Sequence, residues 1–249
     1  MSEMKKFIYY LLNIFAHNME TEIVDILKRK KKIVIFDVGC FKGVFSRKVL
    51  NLIKQKKSTF YLFDINKNTK NYISDLISMK NINFNEIALS DKNGTANYNF
   101  NRFFESSGSS LSNLFKNDSK WIFSRTIFLK MLFQKTMSFT QYKVKTITLD
   151  KFVDRNKIKK IDILKVDIDG SEHEFLKGAK QTLKKKKISV ILIEISDKKL
   201  SYDRKEKRII KKLSLNNYLL IKKHINHSVS FFSNARSGDY LFLNKSNLS

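Results

Sequence analysis

Six carboxylates in this chain fall where apolar runs end: Asp37, Asp64, Glu86, Asp167, Asp169 and Glu194. The chain holds 23 Asp and Glu against 49 Lys and Arg, so acids gathered at such places carry information. In an open α/β sheet, ligands bind beyond the carboxyl ends of the strands. Gly39 and Gly43 follow the first run, Ile33–Val38, and glycine lets a backbone turn tightly and approach a ligand closely. Strand, glycine loop and helix in that order form a cradle for a nucleotide-type cofactor, or else an ordinary tight turn. The loop lacks the third glycine of the dinucleotide fingerprint. Asp64 follows Asp37 by 27 residues, where an acid can grip a ribose diol through two hydroxyl-to-carboxylate bonds, or else cap a helix. Carboxylates crowded in one cleft suit a pyrophosphate poorly and a cation well. S-adenosylmethionine, with a sulfonium, an amino group and no phosphate, is the cofactor these charges favour.

Methyl transfer to a hydroxyl is an in-line displacement, and a protein's main contribution is alignment in a dry site. A general base adds about 10²–10⁴-fold. Asp167 and Asp169 are the leading candidates, expected on opposite faces, with Asp167 toward the donor and Asp169 toward the acceptor or a loosely bound metal. His173 is a second candidate base, or a histidine on a helix surface between Glu172 and Glu174. Glu194 can orient a substrate hydroxyl. His224 and His227 are acceptor contacts or surface residues. Cys40 reads as a packing residue. No dedicated metal site is expected.

These residues need a scaffold, and the hydrophobic pattern supplies one. Strands are expected at 33–38, 59–64, 82–88, 95–100, 144–149, 161–166, 188–195, 218–222 and 239–243. Several are apolar on both faces, as in a parallel sheet covered by helices. Helical stripes recur at Phe45, Val49 and Leu52, at Tyr72, Leu76 and Met79, at Phe175, Leu176, Ala179 and Leu183, and over 203–215. Asn66-Lys67-Asn68 is expected to cap the second of these helices. The alternation predicts an α/β fold: a doubly wound, mostly parallel seven-stranded sheet, Rossmann-like. Residues 1–32 form an N-terminal helical extension and 33–249 the main domain. An apolar insertion at 103–140 holds the single tryptophan, Trp121, and is a lid over the acceptor site or a surface packed on the N-terminal helix or a second subunit.

Composition narrows the classes further. No apolar run reaches the roughly 18 residues that span a bilayer. Phe7–Leu12 after Lys5-Lys6 reads as an amphipathic helix, since no small-residue cleavage site follows. A single cysteine forbids an internal disulfide and points to a cytoplasmic setting. The formal charge of +26 comes from lysines scattered along the chain, a pattern that argues against nucleic acid as substrate and for attraction to an anionic membrane or glycan. The sequence leaves the oligomeric state open.

Four segments in order carry a family resemblance: Phe36-Asp37-Val38-Gly39 with Gly43 and Ser46; Ala88-Leu89-Ser90-Asp91 with Gly94; Val144–Asp150; and Ile161–Gly170 followed by Glu172 and Leu176–Ala179. Together they resemble the FkbM family of class I S-adenosylmethionine-dependent methyltransferases, over about residues 33–243. Cys40-Phe41-Lys42, Asp64 and Asp169 depart from the usual pattern. The resemblance implies that Asp37, Gly39, Cys40, Phe41 and Gly43 line the methionine side of the donor. It further implies that Asp64 and Ile65 hold the ribose, and that Glu86 to Ala88 flank the adenine. The implied acceptor is a hydroxyl on a sugar, polysaccharide or small molecule. Two other classes use part of the same evidence. A nucleotide-sugar glycosyltransferase would hold a divalent metal on Asp167 and Asp169, leaving the Gly39 loop without a role. A non-catalytic basic binding protein on the same fold would not need the strand-end acids.

Overall fold

In the computed structural model, Ile23 and residues 30–53, 57–102, 109–133, 136–226 and 234–247 are described. The N-terminal extension, apart from Ile23 and residues 30–32, lies outside them, as do Ser106 to Gly108 and His227. Strand β1 (Lys32–Val38) leads through the glycine loop into α1 (Val44–Leu52). Then come β2 (Lys57–Phe63), the short helices α2 (Thr69–Tyr72) and α3 (Ser74–Ile77), and β3 (Ile82–Asn85). Strands β4 (Ala88–Leu89) and β5 (Gly94–Asn101) precede helix α4 (Ser119–Phe133), and β6 (Phe139–Ile147) follows it. The second half runs α5 (Leu149–Arg155), β7 (Ile161–Val166), α6 (Glu172–Gly178), α7 (Lys180–Lys184), β8 (Ile188–Lys198) and α8 (Lys199–Leu215). It ends with β9 (Tyr218–Asn226) and β10 (Ala235–Asn244).

Seven strands form one sheet in the order β3-β2-β1-β7-β8-β10-β9, with β10 antiparallel to both its neighbours and the remaining pairs parallel. The expected doubly wound α/β sheet is therefore what the chain builds. Side chains alternate across a strand, and both faces of this sheet are covered. Phe36 and Val38 enter one core with Leu164, Val166, Ile191 and Ile193. Ile33 and Ile35 enter the opposite core with Ile163, Val190 and Leu192, which Ile23 also joins. The chain winds outward from β1 in one direction and from β7 in the other. The crevice between their carboxyl ends is the topological switch point.

A second sheet, β4-β6-β5, was not foreseen. Strand β6 starts at Phe139 and stops at Ile147, because Thr148 turns out of the ladder and its hydroxyl caps α5 at Lys151 N. Three expectations need local correction. The strand expected at 82–88 breaks into β3 and β4. The helix after Asn68 is split at Ile73, and its buried apolar residues are Ile73 and Leu76, while Tyr72 and Met79 stay exposed. Asn68 does not cap it: Asn66 Oδ1 accepts from Asn68 N at 2.9 Å instead. In the insertion, Leu114, Phe115 and Trp121 pack with Ala235 at the start of β10. Asp118 fixes this join, capping α4 at Trp121 N (3.0 Å) and accepting from Asn234 N (2.8 Å).

Candidate active site

The glycine loop takes its shape from three left-handed residues, Gly39 (φ 81°), Phe41 (φ 40°) and Gly43 (φ 68°). Gly39 N and Cys40 N both donate to Phe63 O, at 2.9 and 3.1 Å, which ties the loop to the end of β2. A Cβ on Gly39 would stand 1.8 Å from the carbonyl oxygen of Asp167. Glycine is thus required here by positive φ and by the close passage of the chain after β7. Asp64 closes the loop from the other side: its Oδ2 accepts from Phe41 N at 2.7 Å and its Oδ1 from Asn66 N at 2.8 Å. Each oxygen keeps a lone pair for a further donor. Burial raises the Asp64 carboxyl above its ordinary range against these bonds.

Around this loop lies a cavity of about 390 Å³ at the switch point. Gly39, Cys40, Phe41, Asp64, Ile65 and Ala88 of the expected cofactor set line it, together with Asp167 and Asp169. Ile65, Ile87, Ala88 and Leu89 give it an apolar wall suited to a purine. Glu86 is turned away: it is exposed and pairs with Lys70 at 2.6 Å. Asp37 lies beneath the floor, fully buried, with Oδ2 accepting from Ser46 Oγ at 2.7 Å. Its Oδ1 has no hydrogen-bond partner and stands 3.9 Å from Lys165 Nζ. Burial raises the Asp37 carboxyl, with the Lys165 ammonium opposing. Cys40 is a thiol held up by burial and by Asp64 and Asp37, which fits a packing residue and not a nucleophile.

Lys165 was missed by the sequence reading. It lies in β7 beside the acids, its Nζ 2.9 Å from Asp167 Oδ2 and its charge shared with Asp37. Burial pulls it down, but Asp167, Asp37 and Glu194 outweigh this and hold the ammonium above its ordinary range. Lys42 and Lys48 also line the cavity, so the slot is mixed in charge, not purely acidic. The available signal was a single lysine inside an otherwise apolar strand end.

Asp167 and Asp169 were expected on opposite faces, and both line the same cavity. Strand β7 has ended at Val166, and Asp169 (φ 45°) and Gly170 (φ 99°) carry the chain round a turn. Strand alternation does not apply there. The turn is clasped from outside. Ser110 Oγ stands 2.8 Å from Asp169 O and 3.1 Å from Ile168 O, and Ser112 Oγ donates to Asp169 O at 2.7 Å. From beneath, Glu172 Oε1 accepts from Gly170 N at 2.7 Å. Lys205 of α8 pairs with Glu172 at 2.5 Å and donates to Gly170 O and Ser196 O, both at 2.8 Å.

Two candidate catalytic residues, a base and a residue to orient the acceptor, lie outside the cavity lining. Half-buried His173 is pulled down by burial and then by Lys177, on the α6 surface facing Lys212. Glu194 lies in β8 opposite Asp239 of β10, which is in turn opposite His224 of β9. Burial raises Glu194 well above its ordinary range, and Asp167, Asp239 and Asp169 push the same way.

The family model described as Methyltransferase FkbM domain matches residues 37–220. This chain belongs to the FkbM methyltransferase domain family. S-adenosylmethionine is the family's methyl donor. No curated sequence matches the chain. Among solved structures it is similar to the FkbM methyltransferase of Methylobacillus flagellatus, at 13% identity and TM-score 0.48, over 86% of this chain and 44% of that one. It therefore spans under half the length of that protein. It is also similar to a precorrin-6y C5,15-methyltransferase of Geobacter metallireducens, at 9% identity and TM-score 0.43, over 92% and 89% of the two chains. A third is M. capricolum TrmK in complex with S-adenosylhomocysteine, at 14% identity and TM-score 0.42, over 90% and 67%. In this FkbM domain the residues fit the donor. The cradle cannot take a Cβ at Gly39, a carboxylate faces the cavity at Asp64, and the purine wall is apolar.

Proposed function

We propose that the chain is an S-adenosylmethionine-dependent O-methyltransferase whose acceptor is a hydroxyl on a sugar, polysaccharide or small molecule. Bound in the cavity, the donor supplies a methyl carbon activated by its sulfonium. The residues of the chain do the rest. Asp64, already fixed by two loop N–H groups, keeps lone pairs for the ribose diol. Ile87, Ala88 and Leu89 exclude water from the purine, and the Gly39 loop lets the backbone come close.

Asp169 is our choice for the base. The observation that carries this is its place on the cavity wall, on a turn held by Ser110, Ser112 and Glu172 from three directions. A carboxylate so positioned can accept the proton that the hydroxyl gives up as its oxygen bonds to the methyl carbon. Asp167 is already engaged: its Oδ2 accepts from Lys165 Nζ at 2.9 Å. The same pairing places an ammonium where a divalent metal on Asp167 would have to stand, which favours methyl transfer over the glycosyltransferase reading. The buried Cys40 thiol suits a reducing, cytoplasmic setting.

Transfer of labelled methyl from S-adenosylmethionine to a panel of glycans and small alcohols tests the reading. Asp169→Asn should lower turnover by about 10²–10⁴-fold while binding S-adenosylhomocysteine as the parent does. Full turnover in that variant would remove Asp169 as the base. Failure of the parent to bind S-adenosylhomocysteine would remove the whole proposal.

A further inference from the structure

Helix α4 is apolar on two sides. Its inner side carries Trp121 and Ile122 onto Phe115 and Phe139. On the outer side Phe123 is 67% exposed and Ile127 44%. Lys120, Phe123, Ile127 and Lys130 follow one another at i, i+3, i+7 and i+10, which is one face of a 3.6-residue period. Both lysines are exposed, so a short apolar stripe ends in a cation at each side. The surrounding sequence has one sign of charge. Between Asp118 and Asp150 stand six Lys or Arg and no acid, and Lys143 and Lys145 of β6 are exposed as well.

Exposed aromatic and aliphatic side chains flanked by lysines can meet a membrane interface even on a helix whose other side packs on its own protein. The apolar groups enter the acyl boundary, and the cations meet anionic headgroups. We propose that this face of α4 docks on an anionic lipid bilayer. Charge selects this occupant. A second copy of the chain would bring the same lysines and the same +26 against this face, and like charges oppose that contact. A bilayer rich in anionic lipid offers both the apolar layer and the opposite charge. The face is separate from the cavity lining, so the proposal stands whether or not the chemistry assigned above holds.

Sedimentation with vesicles tests it on the full chain. The parent should bind phosphatidylcholine vesicles containing about one-third phosphatidylglycerol and leave pure phosphatidylcholine vesicles in solution. Binding should weaken as salt rises from about 0.1 M to about 1 M and screening tightens. Phe123→Gln/Ile127→Gln should bind roughly tenfold more weakly or worse, since its apolar anchors are gone. It should melt at the parent's temperature, because neither side chain is in the core. Lys120→Gln/Lys130→Gln should lose much of the preference for phosphatidylglycerol. Three results would overturn the proposal: a parent that ignores anionic vesicles, a Phe123→Gln/Ile127→Gln variant that binds them fully, or a parent dimer that this variant abolishes.

Discussion

Replacing Gly39 by alanine should damage the site through one carbon atom. The new Cβ would stand 1.8 Å from the Asp167 carbonyl oxygen, against the 3.0 Å below which such contacts essentially never occur. The loop and the chain after β7 must part by at least ~1 Å, in addition to the cost of φ 81° for a residue with a side chain. Left-handed strain is worth about 1–2 kcal/mol and forced overpacking about 1–3 kcal/mol. Taken together at about 3 kcal/mol, the loss lowers the melting temperature by about 6–12 °C in a domain of this size. Function should suffer more, since misplacing a reacting group by ~1 Å can cost about 10²-fold in turnover. Gly94→Ala is the control: it too has a positive φ, 139°, but nothing lies within 4 Å of its Cβ. It should show backbone strain alone, with donor affinity unchanged. Differential scanning fluorimetry and titration calorimetry with S-adenosylhomocysteine read both effects. The reasoning fails if Gly39→Ala melts no lower than Gly94→Ala and binds the ligand as the parent does.

Other outcomes follow from the same geometry. Asp64→Asn puts an NH₂ where a carboxylate oxygen now accepts from Phe41 N or Asn66 N, so affinity for S-adenosylhomocysteine should fall by about 10–100-fold in calorimetry. Lys165→Met leaves Asp37 and Asp167 without their cation and should cost about 3 kcal/mol at pH 8 by denaturant unfolding. That loss should shrink in acid, where a protonated Asp37 no longer needs the lysine. Burial first, and then Asp167, Asp239 and Asp169, raise Glu194 well above 4.5 in the fold, so it costs stability increasingly as pH rises from 4.5 and in full above its folded value. Glu194→Gln should therefore melt higher than the parent at pH 8, with the gain lost as pH falls toward 4.5. Ser110→Ala/Ser112→Ala should slow methyl transfer while unfolding free energy by denaturant falls by only about 2 kcal/mol or less, as each clasp bond is worth about 1 kcal/mol.

What could be read from the sequence was whatever depends on local pattern. A first strand apolar on both faces, Ile33–Val38, names a parallel sheet, and the glycine loop behind it names its ligand edge. Gly39, Asp64, Asp167 and Asp169 were legible because strand ends must converge on one crevice. The failures were non-local. Glu86 ends an apolar run as Asp64 does, but Lys70 on α2 draws it outward, and no spacing rule reports that. His173 reads from the sequence as either a base or a helix-surface residue, and it lies on the side of Lys177 and Lys212, as the second alternative has it. The sheet β4-β6-β5 was invisible because β5 and β6 pair across the insertion, from Gly94 with Thr146 to Asn101 with Phe139. The opposite-face expectation for Asp167 and Asp169 assumed an extended strand, and the left-handed φ of Asp169 breaks that premise.

The ammonium of Lys205 has three hydrogens and meets three oxygens, those of Gly170, Ser196 and Glu172. It occupies the post that a structural metal ion fills elsewhere, joining a helix, a strand and the acid turn through one point charge. A flat guanidinium cannot reproduce that arrangement, so Lys205→Arg is not a conservative change here. Neutralising the lysine alone would strand Glu172 as an enclosed anion, whereas changing both residues together removes that charge and leaves only the backbone groups of Gly170 and Ser196 to find new partners. Positions 172 and 205 should therefore drift through evolution as a couple.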